Sequence, residues 1–307
     1  MVPLPKKVKL VEVGARDGLQ NEKNRVTTPV KIEFINQLSD TGLSVIEATS
    51  FVSPQWIPSL ADHREVYEGI TKKENVAYPV LVPNIKGFEN ALAAGVKEIA
   101  VFTTPSATFS QRNTNMTIAE SLQKISEVLQ AAKANQIRVR GYLSCVLGCP
   151  YEGKIAPHAV AEMAEKLVAL GCYEISLGDT IGVGTPGKTD ILLKTVMEKI
   201  PQEKMAVHFH DTYGQGLANI YVALENGISV IDSAVGGLGG CPYAKGASGN
   251  VASEDVLYML NGLEIETGVD LKKLIAAGRF ITHQLGKSVQ SKVSLALGSV
   301  DNTGASS

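Results

Sequence analysis

The sequence predicts a closed TIM (β/α)8 barrel, and three observations predict it. Eight short runs rich in β-branched and aromatic residues are each followed by a stretch able to form a helix. These units recur at roughly 30 residues, the length of one βαβ step. The turn after the first run reads GARDGLQ, which lacks the glycine fingerprint that a doubly wound dinucleotide-binding sheet carries there. A chain of 307 residues is long enough for one such barrel.

In chain order the strands are expected at VKLVEVG (8–14), VIEATSF (45–51), AYPVLVP (77–83) and EIAVFTT (98–104). IRVRGYLS (137–144), YEISLGD (173–179), AVHFHDT (206–212) and VIDSAVG (230–236) complete the eight. Between them lie amphipathic segments such as TPVKIEFINQLSDTG (28–42), TIAESLQKISEVLQAAKANQ (117–136) and APHAVAEMAEKLVALG (156–171). The first and third end in Gly42 and Gly171, a common helix stop. After the eighth strand comes the glycine-rich run GGLGGCPYAKGASGN (236–250), then a helix from near Ala252. A further helix, LKKLIAAGRFITHQLG (271–286), is expected to pack across the barrel. The domain reading is one barrel with C-terminal helices over 1–290 and a solvated tail over 291–307.

Composition excludes several classes. Hydrophobic residues are 44% and charged residues 20%, so a large apolar core forms without staples. The net charge is −2 and the basic residues are scattered, unlike the clustered footprint of a nucleic-acid binder. No apolar run reaches the length of a membrane span. The opening MVPLPKKVKL carries no apolar signal core and reaches strand-like sequence at once, so a cytoplasmic protein is expected. The four cysteines have no CxxC spacing and no zinc-ribbon pattern. Cys172 reads as core, and Cys145 and Cys149 as structural.

Barrel chemistry sits where strands end and βα loops begin. There the sequence puts Arg16 and Asp17 after strand one, Glu47 in strand two and Asp179 at the end of strand six. His208 and His210 lie two apart in strand seven, so both imidazoles share one face of the strand and Phe209 takes the other. Two imidazoles at the barrel mouth, with oxygen donors from Asp17 and Asn250 on the neighbouring strands one and eight, suit a divalent cation. One histidine capping a strand and another filling space is the plainer alternative. Glu47 sits among apolar residues and needs a partner, for which Arg16 is nearest. That pair reads equally well as scaffold or as site, and with Asp179 it leans toward site. The 236–250 run suits either a phosphate cradle or a closing lid. Cys241, between Gly240 and Pro242, reads as a reactive thiol facing substrate.

Six blocks then carry a resemblance: EVGARDGLQNE, IEATSFVSP, GCPYEGKI, ISLGDTIGVGTPG, HFHDTYGQGLANI and GLGGCPYAKGASGN. They are similar to successive blocks of the 3-hydroxy-3-methylglutaryl-CoA (HMG-CoA) lyase family, bacterial type, from about residue 7 to about residue 290. The wider group includes isopropylmalate and homocitrate synthases. Asp211-Thr212 after the histidine pair, where those synthases have Asn-Asp, and the Cys241-Pro242-Tyr243-Ala244 loop favour the lyase branch. The resemblance implies cleavage of HMG-CoA to acetyl-CoA and acetoacetate with Mg2+ or Mn2+. It implies metal ligation by Asp17, His208, His210 and Asn250, and substrate roles for Arg16, Glu47, Asp179 and Cys241. It also implies a homodimer and an acyl-CoA substrate. Three readings compete: a synthase running a Claisen-type condensation, an amidohydrolase-like enzyme and a non-catalytic binding protein. The second carries its His-x-His on strand one, and here the pair is on strand seven. The third leaves the collection of polar groups at one rim without a cause.

Overall fold

A computed structural model of the chain describes residues 3–239 and 249–298. Strand β1 (Lys9–Glu12) is followed by an interrupted strand β2, whose pieces are Val45–Ile46 and Thr49–Ser50. Then come β3 (Val80–Leu81), β4 (Glu98–Thr103), β5 (Arg138–Leu143), β6 (Glu174–Asp179), β7 (Met205–Phe209) and β8 (Val230–Ser233). Every pairing between these strands is parallel. Val11 and Glu12 of β1 pair with Val45 and Ile46, and Thr49 and Ser50 pair with Val80 and Leu81. Lys9 to Glu12 pair in turn with Val230 to Ser233, so the sheet returns to its first strand and closes. All eight predicted strands are present, within a few residues of the expected bounds.

Helices form the outer ring, and local sequence sets their ends. α1 (Thr28–Ser39) has Pro29 in its first turn, where the missing N–H costs nothing. α5 (Ile118–Ala134) opens on a capping box in which Thr117 and Glu120 satisfy each other's backbone N–H. α6 (Pro157–Leu170) stops at Gly171 with φ 117°, and the turn after α1 closes at Gly42 with φ 93°. The remaining helices are α2 (His63–Gly69), α3 (Ile85–Ala93), α4 (Ala107–Thr114), α7 (Pro186–Met197) and α8 (Gly216–Glu225). After β8 come α9 (Ser253–Gly262), α10 (Leu271–Gln284) and α11 (Lys292–Gly298).

Two details differ from expectation. α10 does not cross the barrel: it lies beside α1, α9 and the 235–237 turn. α11 falls within the segment read as tail, and it docks because Ser291 and the backbone N–H of Val293 both donate to Asp255 of α9. Among the described residues no helix is long and apolar enough to cross a membrane.

The apolar core lies between sheet and helices, from Val8 and Phe34 round to Leu257 and Ile281. The barrel interior is different. In place of the usual layers of Val, Ile and Leu it holds a buried ionic network. Arg140 sends its Nε to Glu174 at 2.7 Å and a two-pronged contact to Asp232 at 2.7 and 2.9 Å. Lys9 reaches the other oxygen of Glu174 at 2.8 Å, and Ser176 donates to Asp232 at 2.7 Å. This layer is the floor of the mouth that follows.

Candidate metal centre and active site

The chain leaves β1 through one turn of π-helix, Gly14–Gly18, a rare geometry that recurs at functional sites. That turn sets Arg16 and Asp17 side by side over the barrel mouth. Glu12 anchors it: one carboxylate oxygen accepts from the N–H of Gly14 at 2.8 Å and of Val235 at 3.0 Å, and the other from Ser253 at 2.6 Å. The loop after β1 is thereby tied to the loop after β8. Burial pushes the Glu12 carboxyl up to about 7 against the pull of its three donors.

Arg16 and Glu47 form the buried pair that the sequence suggested. Glu47 sits in the gap of β2, fully buried, and its Oε2 accepts from Arg16 Nε at 2.6 Å. A second arm of the guanidinium donates to Asp17 Oδ1 at 2.6 Å, and the group lies 5.2 Å from the Tyr142 ring centre. Burial raises the Glu47 carboxyl, and the facing Arg16 opposes it. Burial would pull the Arg16 guanidinium down, but Glu47 and Asp17 raise it and keep it charged.

Asp17, His208 and His210 converge: one ligand atom from each lies within 4.8 Å of the other two. Asp17 Oδ2 faces His208 Nε2 at 3.9 Å, and the two imidazole rings are 5.5 Å apart between centres. Asn250 joins them, donating its amide to Asp17 Oδ2 at 2.8 Å and to the Leu238 carbonyl at 3.2 Å. A bridge between His210 and Asn250 fixes the relation of those two residues.

The electrostatics suit a cation. Burial alone would raise the Asp17 carboxyl, yet Arg16 and the two histidines hold it at about 2, so it is anionic at neutral pH. Burial, with His208 alongside, pushes His210 down to about 4, so that imidazole is neutral. An ionised carboxylate and a neutral imidazole are the protonation states a metal requires. The Nδ1 atom of His210 is buried without a hydrogen bond, a polar atom lacking the partner its burial demands. The donor set fits a divalent cation.

Asp179 stands apart. Its two oxygens accept from the N–H groups of Val183 at 3.2 Å and Gly184 at 2.7 Å, so it folds the loop after β6 onto the strand end. Burial pushes its carboxyl up to about 6 against these donors. Cys241 lies outside the described residues. Cys145, Cys149 and Cys172 are buried and unpaired, in agreement with structural roles.

Sequence reasoning missed the floor: Arg140, Tyr142, Glu174, Ser176 and Asp232. The signal was present, since Arg140–Tyr142, Glu174–Ser176 and His208–His210 share the same two-residue spacing. A charged residue inside a barrel strand, between neighbours that pack toward the helices, points inward, as Arg140 between Val139 and Gly141 does.

Fold and site together define a (β/α)8-barrel enzyme in which an arginine, buried carboxylates and a cluster able to hold a divalent cation gather at the C-terminal rim. More narrowly, the chain belongs to the HMGL-like family, whose profile matches residues 7–281. It is 62% identical to the mitochondrial hydroxymethylglutaryl-CoA lyase of Mus musculus over 296 residues, 96% of this chain and 91% of that protein. The hydroxymethylglutaryl-CoA lyase structure from Pseudomonas aeruginosa superposes with a TM-score of 0.95 at 58% identity, covering 97% of this chain and 99% of that one. An HMG-CoA lyase from A. baumannii, solved with coenzyme A and 3-methylmalate, gives 0.91 at 39% identity, covering 96% of this chain and 97% of that one.

Proposed function

We propose that the protein is a carbon–carbon lyase that cleaves 3-hydroxy-3-methylglutaryl-CoA into acetyl-CoA and acetoacetate. The observation that carries this is the convergence of Asp17, His208 and His210 beside Arg16 at the rim, in a chain whose close relatives bear that activity by name. Asp17, His208, His210 and the amide of Asn250 would hold one divalent cation, Mg2+ or Mn2+. Bound there, a cation increases the acidity of the substrate's C3 hydroxyl and neutralises its carboxylate.

The chain's own groups supply the rest. Asp17 accepts the hydroxyl proton as the C2–C3 bond breaks, and His208 can do so only in a state where its Nε2 is off the cation. The electron pair of that bond moves onto the thioester fragment, and C3 becomes the ketone carbon of acetoacetate. Arg16, kept charged by Glu47, donates to the enolate oxygen as it forms, and being already oriented it pays no reorganisation at that moment. Glu47 holds the guanidinium at one end so that its remaining N–H groups face the mouth. Asp179 acts by holding the 180–184 loop at the rim. Cys241, on the loop after β8, returns a proton to the acetyl-CoA carbanion. The substrate is an acyl-CoA small molecule, the whole 1–290 stretch works as one catalytic domain, and the protein is a cytoplasmic homodimer.

The test is a panel. Purified protein with Mg2+ or Mn2+ is offered HMG-CoA, and separately acetyl-CoA with a set of 2-oxo acids. Release of acetyl-CoA and acetoacetate in equal amounts from HMG-CoA supports the lyase. Free CoA released from acetyl-CoA with an oxo acid, and no cleavage of HMG-CoA, moves the protein to the synthase branch.

A further inference from the structure

We infer that Asp232 is a positioning residue for the metal centre, fixing through Nδ1 of His208 the imidazole tautomer that leaves Nε2 free to face Asp17. The inference rests on the reading of Asp17, His208 and His210 as a divalent-cation site.

The geometry begins in the sheet. His208 of β7 and Asp232 of β8 are register partners across the parallel pair, so their side chains leave the sheet side by side. His208 Nδ1 lies 3.3 Å from Asp232 Oδ2, while Nε2 of the same ring faces Asp17 Oδ2 at 3.9 Å. Asp232 is 1% exposed and held as a carboxylate by both arms of Arg140. A carboxylate has no hydrogen to give, so the shared hydrogen sits on Nδ1. In the neutral ring the lone pair is then on Nε2 and points at a second carboxylate. Two acceptors that face each other across a buried gap repel unless something positive lies between them. Asp232 thus turns the imidazole into a ligand whose free lone pair is aimed at the cation.

Two further contacts hold the ring's orientation. Ser176 donates to the same Asp232 oxygen at 2.7 Å, which fixes that oxygen's position. Tyr142 meets the His208 ring edge to face at 6.0 Å and accepts from Arg140 at 3.1 Å. The chain of contacts runs from Lys9 through Glu174, Arg140 and Asp232 to His208. Anions that accept from the second nitrogen of a ligating histidine typically change metal affinity about tenfold to a hundredfold when removed.

The experiment uses the full chain. Mn2+ dissociation constants are measured by equilibrium dialysis for wild type, Asp232→Asn and Ser176→Ala, with urea midpoints alongside. Asp232→Asn should weaken Mn2+ binding about tenfold to a hundredfold and shift the visible absorption bands of the Co2+-loaded protein. Ser176→Ala, which removes one contact on the same Asp232 oxygen but keeps the carboxylate beside Nδ1, should weaken Mn2+ binding less than Asp232→Asn does, whatever it does to the urea midpoint. Wild-type protein labelled with 15N-histidine and free of metal supplies a readout that needs no variant: His208 should carry its hydrogen on Nδ1. A hydrogen on Nε2, or an Asp232→Asn protein with unaltered Mn2+ affinity and Co2+ spectrum, overturns the positioning role. Wild-type protein that binds no Mn2+ overturns the metal reading itself, a separate failure.

Discussion

Replacing Glu47 by Gln probes whether the Arg16–Glu47 pair is scaffold or site. The two side chains are isosteric, so no cavity opens in the gap of β2. Glu47 Oε2 receives Arg16 Nε at 2.6 Å, while Oε1 is buried without a partner. The substitution keeps a hydrogen bond to the still-charged guanidinium but removes the attraction between two opposite charges, so what is lost is the difference between a bond with two charged partners and one with a single charged partner. The net loss is therefore about 1–2 kcal/mol, below the 3–5 kcal/mol or so of a fully broken buried pair, because Asp17 still faces the guanidinium. For a chain of 307 residues, with an unfolding entropy of about 2.1 cal/mol/K per residue, that is a fall in Tm of about 2–3 °C. Activity should suffer more than stability does. With Glu47 neutral, Asp17 is, among the described residues, the one carboxylate still bonded to Arg16, so the guanidinium is drawn toward Asp17 and away from the position proposed for meeting the substrate. Turnover should fall about a hundredfold, as when a preorganised donor to an oxyanion is lost. The assay pairs urea denaturation with initial rates of HMG-CoA cleavage at saturating Mn2+. A variant that loses the stability yet turns over within about threefold of wild type makes the pair scaffold only, and the orienting role given to Glu47 fails.

Three more outcomes can be measured. Cys241→Ala should cut turnover about a hundredfold or more, as loss of a positioned proton donor does, while bound metal per chain stays the same; near-normal turnover removes the proton-transfer role. Gly249→Ala should destabilise by about 1–3 kcal/mol and weaken Mn2+ binding, because a Cβ there falls 1.6 Å from the Gly239 carbonyl oxygen and the next residue is Asn250. An unchanged urea midpoint and Mn2+ titration for that variant would contradict it. Burial, against backbone donors, pushes the carboxyls of Glu12 and Glu254 from 4.5 to about 7 and about 8. Each binds its proton more tightly folded than unfolded, so the stabilisation is complete below pH 4.5 and is lost as pH rises through 7 to 8. The unfolding free energy from urea titrations should fall by on the order of a few kcal/mol between about pH 4.5 and 8, and Glu254→Gln should flatten the fall. Parallel profiles for the two proteins would contradict the assignment to Glu254.

The fold was legible because each strand carries β-branched residues and each helix carries its own stop, so period and punctuation agree from Val8 to Gly286. The rim was legible for a different reason. A His-x-His pair and an Arg-Asp pair at strand ends have few structural uses, and the folded chain brings both together with Glu47 and Asn250. The Arg140–Asp232 contact in the floor was not legible, since both residues lie inside their strands and it joins positions 92 residues apart. Glu12 escaped because two of its partners are backbone N–H groups, one of them, that of Val235, 223 residues away along the chain. Backbone partners leave no trace in residue type. Asp179 shows the opposite limit: a carboxylate at a strand end is flagged by position alone, while its occupation by the N–H groups of Val183 and Gly184 is visible only in the folded chain.

The most direct test of a metal-dependent lyase is a titration. Protein stripped with chelator is mixed with HMG-CoA, and Mn2+ or Mg2+ is added stepwise while acetoacetate and acetyl-CoA are both counted. Cleavage should be absent at the start, rise in proportion to bound ion and level off at one ion per chain, with His210→Ala flat throughout. Full cleavage by stripped protein, or by His210→Ala at the same metal concentrations, would contradict the account.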